Sequence, residues 1–153
     1  MPVIEESITI DRPVSEVFAY MSDVTNVTVY DASVVLSTQE GPGETQVGTR
    51  WRGVTRILGR DFGWVGECVE LERDRFVMIR AIEGRLQFET RMVVTPEGGG
   101  TRLDYRVSTA SGLGGIFGDL DEAFVTEVQT RTVKANLVTV KALLEGAAAT
   151  GLR

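Results

Sequence analysis

The sequence contains no histidine and a single cysteine, Cys68. The first absence removes Ser-His-Asp and Cys-His nucleophilic catalysis, and with it any histidine-based zinc or iron site, so no metal is expected. The second removes an intramolecular disulfide, which suits a reducing compartment and a cytoplasmic location. Cys68 itself reads as core filler, because free cysteine is among the most buried residue types. Acid–base chemistry, if the chain performs any, falls to Asp, Glu, Tyr, Lys or Arg.

Basic residues are also short. The net charge is −6, from 16 Lys and Arg against 22 Asp and Glu. That argues against nucleic-acid binding, which needs clustered cations, and against an anionic membrane surface. No apolar run approaches the ~18 residues of a membrane-spanning helix, so no insertion is expected. Met1 to Ile10 carries Glu5 and Glu6 and no basic segment, and so does not read as a signal peptide. Nothing in the composition calls for a cofactor.

What is present suits one domain: 153 residues, 42% hydrophobic and 25% charged. Val3 to Ile10 reads as a first strand, with Ile4, Ile8 and Ile10 on one parity. Pro13 opens a short amphipathic helix on which Val14, Val17, Phe18 and Met21 share a face. Asp23 to Tyr30 reads either as a second short helix or as a turn.

The period then changes to two. Strands are expected over Ser33–Thr38, Gly48–Arg60, Phe62–Glu72 and Phe76–Ile82. Two more follow, one through Leu86, Phe88, Met92 and Val94, the other through Leu103, Tyr105 and Val107. Turns separate them at Gly41–Gly43, Gly59–Asp61, Arg73–Asp74, Glu83–Gly84 and Pro96–Gly100. Arg50, Arg52 and Arg56 fall on one face of their strand, with Trp51, Thr55 and Ile57 on the other.

After the glycine-rich Ser111–Gly115, a long helix begins near Asp119, Asp121 and Glu122, where the macrodipole favours negative charge. Its main stripe is Ala123, Thr126, Thr130, Val133, Leu137, Val140 and Leu144. A second stripe runs through Leu120, Phe124, Val128, Ala135 and Val138, and is covered either by the N-terminal helices or by a second copy of the chain. The protein is accordingly a monomer or a homodimer. Gly146 is the expected stop. Residues 1–146 form the domain and 147–153 a flexible tail.

Several of these segments resemble one known family. Ile10-Asp11-Arg12-Pro13-Val14-Ser15-Glu16-Val17-Phe18 is similar to the entry of its first helix, and Val47-Gly48-Thr49-Arg50-Trp51 to the start of its third strand. Gly100-Thr101-Arg102-Leu103 resembles the entry of its last strand, and Val140-Lys141-Ala142-Leu143-Leu144-Glu145 its closing helix. The family is the START-like, or helix-grip, superfamily (SRPBCC), with the polyketide cyclase/dehydrase branch the most similar. The resemblance implies an α+β fold: a curved antiparallel sheet of about seven strands around a long C-terminal helix, with two short helices after the first strand. These motifs mark turns, caps and core, and fix no function. One departure concerns Asn26–Asp31, where similar proteins often carry Pro and Trp and this chain has neither.

A bent sheet gripping a helix implies an apolar cavity between the two. Wall candidates, chosen by shared strand parity, are Trp51, Phe88, Met92, Leu103 and Tyr105, with Thr90 offering a hydroxyl. From the helix side come Phe117, Ala123, Thr126 and Thr130; the last three are small or partly polar and leave volume unfilled. Each wall residue also reads as ordinary core. Glu67 lies between Val65 and Val69: either it lines the cavity as an acid–base group, or a bulge turns it out to solvent. Tyr105 is the other acid–base candidate, and Tyr30, Asp31 and Arg131 complete the polar set. Arg50, Arg52 and Arg56 form a solvated face or a basic patch for an acyl-carrier protein.

Three functions follow from this reading. The first is binding or carriage of a small apolar molecule such as a lipid, polyketide or quinone-like compound. The second is a cyclase or aromatase that folds a poly-keto chain so that its reacting carbons meet. The third is a protein-interaction module without an open cavity.

Overall fold

Inward apolar and outward charged side chains alternate along most of the strands, and this pattern bends one sheet around one helix. The computed structural model describes residues 3–109 and 122–149. Phe117, the 111–115 stretch, residues 119–121 and residues 150–153 lie outside the described residues.

The chain forms β1 (Val3–Ile10), α1 (Val14–Ser22), a 3-10 turn (Val24–Asn26) and α2 (Val27–Tyr30). Strands β2 (Val34–Glu40), β3 (Arg50–Ile57), β4 (Arg60–Glu72), β5 (Phe76–Gly84), β6 (Phe88–Glu97) and β7 (Gly100–Thr109) follow, and α3 (Glu122–Ala149) closes the chain. The seven strands make one antiparallel sheet in the order β1-β7-β6-β5-β4-β3-β2, a meander whose last strand is flanked by the first. This is the expected helix-grip architecture. The segment that read as helix or turn is both: a 3-10 turn capped by the Asp23 carboxylate, then one turn of α2.

Several boundaries differ from the sequence reading: β2 runs on to Glu40, β3 begins at Arg50, Leu86 falls before β6, and Pro96 and Glu97 belong to β6 rather than to the turn. The β3–β4 turn falls on Leu58 and Gly59, both at positive φ, one residue earlier than expected. Strand β5 continues through Glu83 and Gly84, which pair with Val65 and Trp64. Helix α3 runs past Gly146 to Ala149, because the alanines that follow are strong helix formers.

Along the strands the interior divides into two ends. At one end Ile10, Trp51, Cys68, Val77, Val94 and Leu103 pack against α1 and the C-terminal half of α3 in a closed core. Trp51, Ile10 and Leu103 have no exposed surface. Each such large side chain stabilises the fold by roughly 1.5–3 kcal/mol. The same end is clasped by polar bonds: the Asp11 N–H donates to Glu145 Oε2 at 2.7 Å, and Lys141 Nζ donates to the Thr9 carbonyl at 2.7 Å. Thr101, fully buried, donates to the Arg12 carbonyl at 2.7 Å. The other end of the sheet is not filled.

Candidate functional site

The unfilled end is a cavity of about 430 Å³, lined mostly by apolar side chains. It lies at the β3–β4 hairpin end of the sheet, within the size range of about 300–1,000 Å³ that small-molecule sites occupy. Thr55 and Ile57 face it from β3, Trp64 from β4, Ile79 from β5, Phe88, Thr90 and Met92 from β6, and Tyr105 and Val107 from β7. Ile4, paired with Val107, closes the β1 side. Met21, Val27, Tyr30 and Asp31 cover it from α1, α2 and the residue beyond, and Val128, Gln129, Thr132, Val133 and Asn136 from α3.

Trp64 is the fixed wall. Its indole donates to the Thr55 hydroxyl at 2.9 Å, and its ring meets Phe88 edge-on, with centroids 5.6 Å apart at 89°. The ring fits because Gly53, on the neighbouring strand, has no side chain: a Cβ there would lie 2.1 Å from the Trp64 ring.

Among the polar residues of this lining, four interact with one another. Tyr30 and Tyr105 both line it, with Asp31 beside them and Thr90 within hydrogen-bonding reach of the Tyr105 phenol. Burial pushes the Tyr105 phenol well above its ordinary value, and the Asp31 charge pushes the same way; Thr90 partly offsets both. Burial likewise raises Tyr30, with Tyr105, Asp31 and Tyr20 adding to it. Both phenols are therefore protonated donors at neutral pH and cannot serve as bases. Asp31 Oδ1 is oriented by two bonds from Ser33, from its N–H at 2.9 Å and its hydroxyl at 2.6 Å. Among the described residues that line the cavity, it is the only carboxylate.

The sequence candidates sort by position along their strands as well as by parity. Phe88, Thr90, Met92 and Tyr105 line the cavity. Trp51 and Leu103 have the inward parity but sit at the closed end, in the core. Glu67 is not in the cavity: β4 pairs with β3 without a break from Arg60 to Glu67, with Trp64 turned inward, and the extra β4 residue falls only at Val69, so Glu67 lies on the outer face, where it accepts from Arg50 Nε at 2.9 Å. The α3 face is rotated from the expected stripe. Ala123 is exposed, and Thr126 and Thr130 are half-buried outside the lining; the Thr130 hydroxyl donates to the Thr126 carbonyl at 2.8 Å. Arg131 points to solvent and pairs with Glu127. Phe117 lies outside the described residues.

Trp64 was missed, although its strand neighbours Gly63 and Gly66 and the facing Gly53 are the signal of a large ring needing room. The arginine face of β3 carries its own counter-charges: Arg50 pairs with Glu67, Arg52 with Glu40 and Arg56 with Asp61. Among the described residues no helix is long and apolar enough to cross a membrane, and no group of three His, Cys, Asp or Glu residues is placed to hold a metal ion.

Comparison with known proteins places this geometry in context. A crystal structure of a protein from Thermus thermophilus superposes with a TM-score of 0.77 at 23% identity, covering 95% of this chain and 99% of that one. The Zhui aromatase/cyclase from a Streptomyces species superposes with a TM-score of 0.71 at 18% identity, covering 99% and 98%. A START superfamily protein from Mycobacterium smegmatis gives 0.74 at 11% identity, covering 94% and 97%. At these identities the likeness concerns the fold. A search of curated proteins found no match to the sequence. The family model described as polyketide cyclase / dehydrase and lipid transport matches residues 1–145.

Proposed function

This chain belongs to the polyketide cyclase / dehydrase and lipid transport family, and from that premise we propose that it binds a small, largely apolar molecule in the cavity between the sheet and α3. The observation that carries this reading is the cavity itself: about 430 Å³ of apolar-walled space at the end of the sheet where the core packing stops. Apolar surface left open to water inside a fold is costly unless a ligand covers it. The two phenols and Thr90 give the ligand's oxygen atoms hydrogen-bond partners, so a molecule carrying a carbonyl or hydroxyl on an apolar frame fits better than a pure hydrocarbon. We place the protein in the cytoplasm, where the lone buried thiol of Cys68 stays reduced.

The pairing of protonated phenols with one oriented carboxylate favours a second reading, a cyclase or dehydratase of the polyketide type. The cavity would hold a poly-keto chain folded, so that proximity supplies most of the rate. Tyr105 would donate to the carbonyl oxygen that gains charge, and Asp31 would take the proton from the attacking carbon. In this reading an acyl-carrier protein is a candidate source of the substrate. Glu67 has no part in it, being on the outer face.

The test begins with a neutral fluorescent probe, N-phenyl-1-naphthylamine. We expect one probe per chain, and loss of binding in a folded Val107→Trp variant that fills the cavity. A probe that binds both proteins equally would show that the cavity is not the site. A poly-keto surrogate that the wild type cyclises and Tyr105→Phe or Asp31→Asn cyclises at least about tenfold more slowly selects the enzyme; equal rates leave carriage as the function.

A further inference from the structure

The cavity opens beside the β3–β4 hairpin, and two features of that lip are unexplained by folding alone. The first is Leu58. It lines the cavity, yet it is 71% exposed and sits at φ 52° in the turn. A branched residue is strained in that backbone conformation, where Asn, Asp or Gly would not be. The second is a pair of cations. Arg60 and Arg85 both lie over the Phe62 ring, their guanidinium carbons 5.3 and 5.7 Å from its centroid.

Among the described residues neither of these arginines has a carboxylate within ion-pair distance. Nearby arginines do: Arg56 is bound to Asp61 at 2.7 Å and Arg80 to Glu89 at 2.9 Å. In a chain of net charge −6, two like charges are thus held on one ring without a counter-ion among the described residues. Cation–π attraction explains why each could stack; it does not explain why both converge. Neither arginine lines the cavity, but their positions put both beside its mouth. Arg60 is paired in register with Ile57, and Arg85 precedes Leu86; Ile57 and Leu86 both line the wall.

We propose that Arg60 and Arg85 form an anion subsite at the cavity mouth, and that the ligand is an amphiphile with an apolar body and a carboxylate or phosphate head. The body lies inside against Leu58, Leu86 and Trp64; the head stays at the lip, where planar guanidinium groups match oxyanion geometry. This rests on the reading of the cavity as a binding site and adds the chemical class of its occupant. Leu58 then has a use for its exposure, as the apolar edge over which the chain enters.

The experiment compares decanoate, decyl phosphate and decanol, three ligands with one tail, by calorimetry on the whole protein. We expect at least one of the two anions to bind about tenfold or more tighter than the alcohol at low salt, and the preference to shrink as salt is raised. The better of the two names the head group. In Arg60→Gln/Arg85→Gln the anion affinities should fall to that of decanol, while Arg60→Lys/Arg85→Lys should keep part of the preference. Decanol binding as tightly as both anions, or a Gln double variant that retains the preference, overturns the subsite and leaves the cavity reading standing. Failure of all three to bind overturns both.

Discussion

The indole N–H of Trp64 donates to the hydroxyl of Thr55 at 2.9 Å, across the β3–β4 pair. This bond anchors the largest aromatic wall of the cavity to the strand that also carries Gly53, over which the same ring lies. The wall is thus set by a donor, an acceptor and a missing side chain on two neighbouring strands.

Gly53→Ala should be among the most damaging small substitutions in the chain. Its methyl would overlap the Trp64 ring, so the ring must turn or the strands must part. We expect a loss of about 1–3 kcal/mol in urea denaturation, with weaker binding of the naphthylamine probe. Thr55→Val should cost about 1–3 kcal/mol by leaving the indole N–H without its partner. Stability equal to wild type in both variants would mean that the Trp64 ring is not held in this way.

Stability should fall at alkaline pH. Tyr30 and Tyr105 are held above the ordinary phenol value of 10.0, and burial pushes the Cys68 thiol up from 9.0 to about 11. The folded chain therefore keeps protons that the unfolded chain releases. Stability is full below the ordinary values and declines as pH rises past 9.0 and then 10.0. Denaturation midpoints measured across the alkaline range should show this decline, and Tyr105→Phe should make it shallower. An unchanged slope in that variant would remove the Tyr105 burial argument.

Leu58→Asn should separate stability from binding. Asparagine tolerates the left-handed backbone and exposes no apolar surface, so the midpoint of thermal unfolding should rise, by about 0.5–1 kcal/mol in stability. Affinity for ten-carbon ligands should drop over the same change. A variant with lower stability and wild-type affinity would mean that Leu58 is structural.

The clasp between α3 and β1 should weaken in acid. The Asp11 N–H and then Lys141 hold the Glu145 carboxyl below its ordinary value of 4.5. Its contribution is present above that value and lost as pH falls through the lower, folded one. Glu145→Gln should flatten the pH dependence of stability below about pH 5. Because the groups are exposed, the effect at neutral pH should be small, under about 1 kcal/mol.

The architecture was legible because turns and parity are local. Phe88 to Val107 alternate, and two strands formed there as expected, with Leu86 left just outside the first and Pro96 and Glu97 added to it. The cavity was harder to read, because parity says which way a side chain points and not how far along the sheet it lies. Trp51 and Leu103 share the inward face with Tyr105, yet only Tyr105 lies beyond the core. Glu67 failed for another reason: Trp64 holds the inward parity, and the bulge comes only at Val69, where no residue type announces it. The α3 face was ambiguous because two apolar stripes share one helix. Val133 lies on the predicted stripe and on the cavity wall, so the spacing alone chose the neighbouring face. Tyr30 and Asp31 stood in the polar set, and their convergence with Tyr105 depends on α2 folding back over the sheet.

The bond between Asp11 and Glu145 joins positions 134 residues apart. During synthesis the meander is complete well before α3 leaves the ribosome, and at about 5–20 residues per second that interval lasts seconds. Throughout it the concave face bearing Trp51, Leu103 and Trp64 has only the short helices α1 and α2 to cover it, and the part that α3 shields stays open. The nascent chain is therefore most exposed to aggregation just before its last helix docks, and truncation within α3 should prolong that state indefinitely.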